Sequence, residues 1–118
     1  MSILSIVLQS ILALGFLMFG FTKFGSKQMV EEFKRYGLPA AFRIFTGLVE
    51  LAGGVFMAIG IWKEQFAAIG GIVVVVTMIG AVATHVRVKD PASKLGMPFV
   101  LLILGLVVLF INWGALIG

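Results

Sequence analysis

An all-α integral membrane fold is what the sequence predicts: an antiparallel bundle of four spanning helices, with a short amphipathic interfacial helix between the first two. Three observations carry this. Hydrophobic residues fill 61% of the 118 positions and charged residues only 12%, and the mean hydropathy of +1.18 lies far above that of soluble domains. The apolar residues gather in four runs, near 3–22, 41–61, 66–86 and 97–117, each matching the roughly 20 residues a helix needs to cross a hydrocarbon core about 30 Å thick. The runs are continuously apolar, whereas the strands of a membrane barrel alternate, and only helices and closed barrels satisfy their backbone in lipid.

The first run lacks a basic leader segment and a small-residue cleavage pattern before Lys23, so it reads as a retained helix and not a signal peptide. The connection after it, "GSKQMVEEFKRYGLPA", has order of its own. Met29, Val30, Phe33 and Tyr36 recur at helical spacing with Glu31, Glu32, Lys34 and Arg35 between them, which predicts an amphipathic helix on the membrane surface. Gly37 ends it and Pro39 opens the second span. "KEQ" is tight enough to make spans two and three antiparallel neighbours. "VKDPASKLG", with Pro91 and Gly96, reads as a loop before the last span. Nothing divides residues 1–118 into more than a single transmembrane domain.

Charge placement orients the bundle. Lys23, Lys27, Lys34, Arg35 and Arg43 surround the first connection, and Arg87, Lys89 and Lys94 the third; only Lys63 lies in the second. The positive-inside rule puts the first and third connections in the cytoplasm and both termini outside, in a bacterial cytoplasmic membrane. Trp62 and Trp113 fall at the opposite, outer interface, as membrane-belt residues do. The net charge of +4 is thus a matter of topology, and a nucleic-acid partner is not expected. The chain has no cysteine, which excludes disulfides, thiolate metal ligands and a thiol relay. One His with one intramembrane carboxylate falls short of a metal ligand set, and no phosphate loop or nucleophile motif is present.

Each span carries a stripe of small or polar residues three or four apart: Gln9, Ala13, Phe16, Gly20 and Lys23; Arg43, Gly47, Glu50, Gly54 and Met57; Thr77, Ala81, Thr84 and His85; Gly105 and Asn112. In lipid, small residues let helices approach and polar ones bond across the contact, so these faces should meet inside the bundle. Gly20, Gly47, Gly53 and Gly54 are the expected packing positions.

Glu50 lies nine residues into its span, about 13.5 Å deep at 1.5 Å per residue, near the midplane. A charge there costs roughly 2.5–3.5 kcal/mol on insertion scales. Either a cation pairs with it or it takes up a proton and becomes a hydrogen-bond donor. Lys23, Arg43 and His85 all belong to the cytoplasmic halves and gather below the carboxylate, which predicts a polar cavity open to the cytoplasm. Each has a plainer reading: Glu50 as a helix-to-helix bond, His85 as an interfacial residue, Lys23 and Arg43 as topology determinants. Depth favours a ligand or pathway role for Glu50.

Taken in order, "GFLMFGFTKF", "YGLPAAFRIFTGLVELAGGVFMAIGIW" and "GAVATHVRV" ahead of a basic loop and a last apolar span resemble the DoxX-like family of small bacterial membrane proteins, over about residues 8–111. The resemblance implies Lys23, Glu50 and His85 as polar positions and Gly20, Gly53 and Gly54 as packing positions. It implies an association with quinone-like compounds or with redox enzymes in the membrane or cytosol, and assigns no catalytic residue. The first expectation is therefore a quinone-linked accessory or binding subunit with no covalently bound cofactor. A structural partner of another membrane protein is the second, and a small transporter or proton pathway, built as a homo-oligomer, the third.

Overall fold

The computed structural model describes residues 2–118, so of the expected domain only Met1 lies outside it. The chain folds into α1 (Ile3–Gly25), α2 (Lys27–Tyr36), α3 (Ala40–Ile59), α4 (Glu64–Arg87), one 3-10 turn (Ala92–Lys94) and α5 (Gly96–Ile117). α1, α3, α4 and the segment Ala92–Ile117 that includes α5 are long and apolar enough to span a membrane. The protein is a multi-pass, all-α membrane bundle, and α2 is the short amphipathic helix expected between the first two spans.

Local signals set the ends. The Ser2 hydroxyl accepts from Ser5 N at 3.1 Å and caps α1. Gly37, at φ 76°, closes α2 with its N–H on the carbonyls of Lys34 and Phe33, a left-handed cap that suits a residue without Cβ. α3 stops at Ile59, two residues before the expected boundary. Gly60 follows as its cap, and a Cβ there would fall 2.5 Å from Ala67 N, so the absence of one lets the turn pack closely against the start of α4.

The four spanning helices pack in the cyclic order α1, α3, α4, α5, with α2 resting on α1 and α3. Neighbours are antiparallel: Gly20 meets Gly47 and Gly54 meets Ala13 across α1 and α3, while Gly71 meets Leu109 and Gly105 meets Val74 across α4 and α5. At the α1–α3 crossing, a Cβ on Gly20 would stand 2.8 Å from Gly47 O, and one on Gly47 3.0 Å from Gly20 O. Gly53 instead faces α4, where Val73 Cγ1 would lie 2.9 Å from its Cβ. Close approach of this kind replaces the hydrophobic effect as the packing force in lipid.

The core of Leu12, Phe16, Met57, Ala67, Val74 and Val108 is sealed, while Leu14, Phe21, Val76 and Phe110 are each more than 60% exposed. That apolar exterior is the surface presented to the bilayer. The end of the bundle holding both termini is closed by a neutral polar network. Ser5 Oγ donates to Gln9 Oε1 at 2.7 Å, Gln9 Nε2 to Met57 O at 3.2 Å, and Asn112 Nδ2 to Ser5 Oγ and Val108 O at 2.9 Å each. All three side chains are buried. The other end, where α1 and α4 finish and α3 and α5 begin, carries most of the Lys and Arg residues and is called the basic end below.

Candidate functional site

Near the termini α3 and α4 are in close contact: a Cβ on Gly70 would lie 3.1 Å from Met57 N. Toward the basic end the two helices part. A Cβ on Gly80 would meet nothing within 4 Å, and a cavity of about 460 Å³ opens where α3 and α4 diverge. Phe42, Phe45, Thr46, Val49 and Glu50 line it from α3 and Val76, Thr77, Ala81, Thr84 and His85 from α4. α1 supplies Phe19, Thr22 and Lys23, and α5 supplies Met97, Pro98 and Leu101. Met29, Phe33 and Tyr36 of α2 lie over the end.

The sequence leads one to expect a mouth at the bundle end, and the amphipathic helix lies over that end, where the exposed lining residues Phe42 and Met97 stand in the first turns of α3 and α5. Two further exposed lining residues, Phe45 and Val76, lie on the lipid-facing surface. The cavity is a cleft with a flank open toward the bilayer.

At its inner end Lys23 Nζ stands 2.6 Å from Glu50 Oε1, with the two side chains 14% and 3% exposed. Lys23 sits in the last turn of α1, where a cation also meets the negative end of the helix dipole. The ammonium is within ion-pair distance, yet Glu50 Oε1 has no partner at hydrogen-bonding angles among the described residues. The contact is therefore a short ion pair of poor direction that leaves a buried carboxylate oxygen with acceptor capacity to spare.

Lys23 and Glu50 thus meet as expected from the sequence, and His85 lines the same cavity. Arg43 does not line it. Its guanidinium donates to the backbone carbonyl of Lys23, so it satisfies a helix-end acceptor and braces the turn that carries the ammonium.

His85 has a partner that the sequence reading passed over. Its Nδ1 lies 2.6 Å from Asp90 Oδ2, because the chain reverses just past α4: Lys89 adopts φ 59° and Asp90 N donates to His85 O at 2.9 Å. Asp90 in turn accepts from Arg35 of α2, NH1 to Oδ1 at 2.7 Å and NH2 to Oδ2 at 3.1 Å. Arg35 also reaches Glu32 Oε2 at 2.7 Å. Tyr36 stacks edge-on against His85 with centroids 5.8 Å apart, and Arg87 donates to the Tyr36 carbonyl. These contacts latch α2 over the cavity.

The latch is electrostatically set. Hydrogen bonds from Arg35 and then His85 hold the Asp90 carboxyl down at about 2. The Arg35 hydrogen bond likewise lowers Glu32. Burial, followed by the Glu32 carboxylate, pushes the Tyr36 phenol up to about 12. Arg35, Tyr36 and Asp90 were read from sequence only as connector and loop residues. The sole available signal was Asp90 following a helix-closing His by five positions, and nothing in the sequence announces the reversal that joins them.

Fold and site together define a class: a small polytopic membrane protein whose four helices seal at one end and, at the other, enclose a mostly apolar cleft with an ion pair at its base. The chain belongs to the DoxX-like family, whose sequence pattern it matches over residues 7–108. It is 44% identical over 57 residues to the uncharacterised protein YdgD of Bacillus subtilis (strain 168), a match covering 48% of this chain and 49% of that one. The chain is thus matched to about half the length of this curated relative. No solved structure matches it.

Proposed function

We propose that the protein is a quinone-linked accessory subunit that receives a quinone-type ring in the cleft between α3 and α4. One observation carries the reading: the cleft joins apolar, lipid-accessible walls to a half-buried cation, Lys23, at its base. Ligand sites of this kind are mostly apolar with a few converging polar groups. A ring carbonyl accepts from the Lys23 ammonium, Phe19, Phe33 and Phe42 flank the ring, and an isoprenoid tail leaves through the lateral opening. The family resemblance, with its association to quinone-like compounds, supports the same ligand class. In this reading the protein sits in the bacterial cytoplasmic membrane with its basic end and α2 on the cytoplasmic side, where α2 also offers a redox enzyme a place to dock.

The test is saturable binding of ubiquinone or menaquinone to the purified protein in micelles. Binding that Lys23→Met/Glu50→Leu weakens is the expected result. Saturable binding absent for both quinones, or identical in wild type and Lys23→Met/Glu50→Leu, would overturn the reading.

A further inference from the structure

Glu50 Oε1 has Lys23 as its one close cation, met outside ordinary hydrogen-bonding angles, and so keeps acceptor capacity to spare, on a side chain only 3% exposed at the base of a cleft with a lipid-facing flank. From this we infer that the cleft selects amphiphiles with a hydroxyl head, an alcohol or a phenol-type ring, that enter sideways from the bilayer and donate the O–H to Glu50. The inference rests on the cleft being a ligand site and adds which head it prefers.

The polar groups at the base and wall are unequal. Lys23 supplies a donor, and Glu50 Oε1 an acceptor 2.6 Å from it. A single hydroxyl meets both at once, because its oxygen accepts from the ammonium while its hydrogen goes to the carboxylate. A carbonyl or ether head meets only the ammonium and leaves Oε1 as it was.

A charged head is disfavoured because Lys23 and Glu50 already neutralise one another, so it would add an uncompensated third charge to a largely buried pair and lose its own hydration. The approach route follows from the walls. Phe45 is 59% and Val76 64% exposed on the lipid-facing surface, while α2 lies across the bundle end, so a ligand already dissolved in lipid reaches the base without crossing the latch. Applied to a quinone-type ring, the argument favours the reduced, dihydroxy form over the oxidised one.

A matched pair of probes isolates the donor. 4-Octylphenol and its methyl ether, 4-octylanisole, share ring, tail and an oxygen able to accept from Lys23, and differ in the O–H. Their retention is read by native mass spectrometry of the full chain released from micelles, as the probe concentration is raised. The expected result is at least about tenfold tighter retention of the phenol by wild type, the scale of one hydrogen bond to a charged group. The ratio should fall to about one in Glu50→Leu, and equally in Lys23→Met/Glu50→Leu, which leaves no lone charge behind and keeps the test usable should the single variant misfold.

Equal retention of the two probes by wild type would overturn the inference while leaving the cleft standing as an amphiphile site. A preference that survives in both Leu variants would overturn it as well, by moving the acceptor elsewhere. Retention of neither probe would overturn the inference together with the ligand-site reading beneath it.

Discussion

Replacing Lys23 with Met should be the costliest single change at the site. At 2.6 Å and an effective dielectric near 20, the gross attraction within the Lys23–Glu50 pair is about 6 kcal/mol. It is set against a desolvation penalty of several kcal/mol for each ion, so the intact pair contributes little net stability. Removing one partner exposes the other's penalty, and here the partners differ. The Glu50 side chain is 3% exposed at the middle of α3 and has nowhere to retreat, so Lys23→Met should cost about 3–5 kcal/mol. Lys23 is 14% exposed in the last turn of α1 and can stretch toward the interface once Glu50 is gone. Glu50→Leu should therefore cost only about 1–2 kcal/mol, and the double variant should return to within about 1 kcal/mol of wild type. Unfolding in mixed micelles by sodium dodecyl sulfate, followed by circular dichroism, measures all four proteins. A Lys23→Met no worse than Glu50→Leu, or a double variant costing the sum of the singles, would refute the account of a coupled, desolvated pair.

Three further predictions follow from other parts of the fold. Gly20→Ala should destabilise by about 1–3 kcal/mol in the same assay, because its Cβ would stand 2.8 Å from both Gly47 O and Leu51 Cγ; Gly15→Ala, whose Cβ meets only Phe19 Cε2 at 4.0 Å, should stay within about 0.5 kcal/mol, and equal effects would remove the close-approach argument. The Asp90 carboxyl is held down from an ordinary 3.8 to about 2, so its contribution to the latch is fully present above about 4 and is lost as the pH falls through about 2. Spin labels at Glu31→Cys and Lys89→Cys, introduced into a chain with no cysteine of its own, should report one distance from pH 8 to 5, a broadened one toward pH 2, and a broadened one at pH 7 in Asp90→Asn; a sharp distance in Asp90→Asn would show that the latch does not hold α2. Finally, protein-containing liposomes should leak protons no faster than empty ones, and a flux that Glu50→Gln abolishes would contradict the sealed end described above.

The helices were legible in the sequence because a spanning segment must satisfy two coarse demands, length and continuous hydropathy, and both are local. On α1 and α3 the stripe of small and polar residues was legible for a related reason: Gly20, Gly47 and Glu50 lie three or four positions from their neighbours in the stripe, so one helical face carries them whatever the partner. On α4 it was not, since the buried face there is Ala67, Ala68, Gly70, Gly71, Val74 and Met78, while Thr77, Ala81, Thr84 and His85 are half-buried along the cavity. The Lys23–Glu50 contact followed once adjacent spans were taken as antiparallel. The latch did not, since His85, Asp90 and Arg35 meet only through the reversal at Lys89 and the docking angle of α2, neither of which has a periodic signature. Arg43 shows the same limit in another form. Its spacing puts it on the Glu50 face, but its long side chain ends on the Lys23 carbonyl instead. The direction in which the cleft opens depends on where α3 and α4 part, a tertiary property that the Gly80 side chain, being absent, gives no hint of.

The two halves of the bundle differ in kind, and the difference bears on which functions the fold can serve. A conducting path needs polar groups with spare bonding capacity at successive depths. Toward the termini, Ser5, Gln9 and Asn112 bond to one another and to the Met57 and Val108 carbonyls, and Leu12, Phe16 and Met57 beneath them are fully buried. Toward the basic end the situation reverses: space is available, and the Glu50 carboxylate keeps acceptor capacity to spare. In the proposed reading, a chamber with one sealed end and a lipid-facing flank holds a membrane-borne molecule and does not pass an ion across. The latch then has a natural place in the same scheme, because α2 covers the polar end of the chamber and leaves the apolar route to the bilayer open.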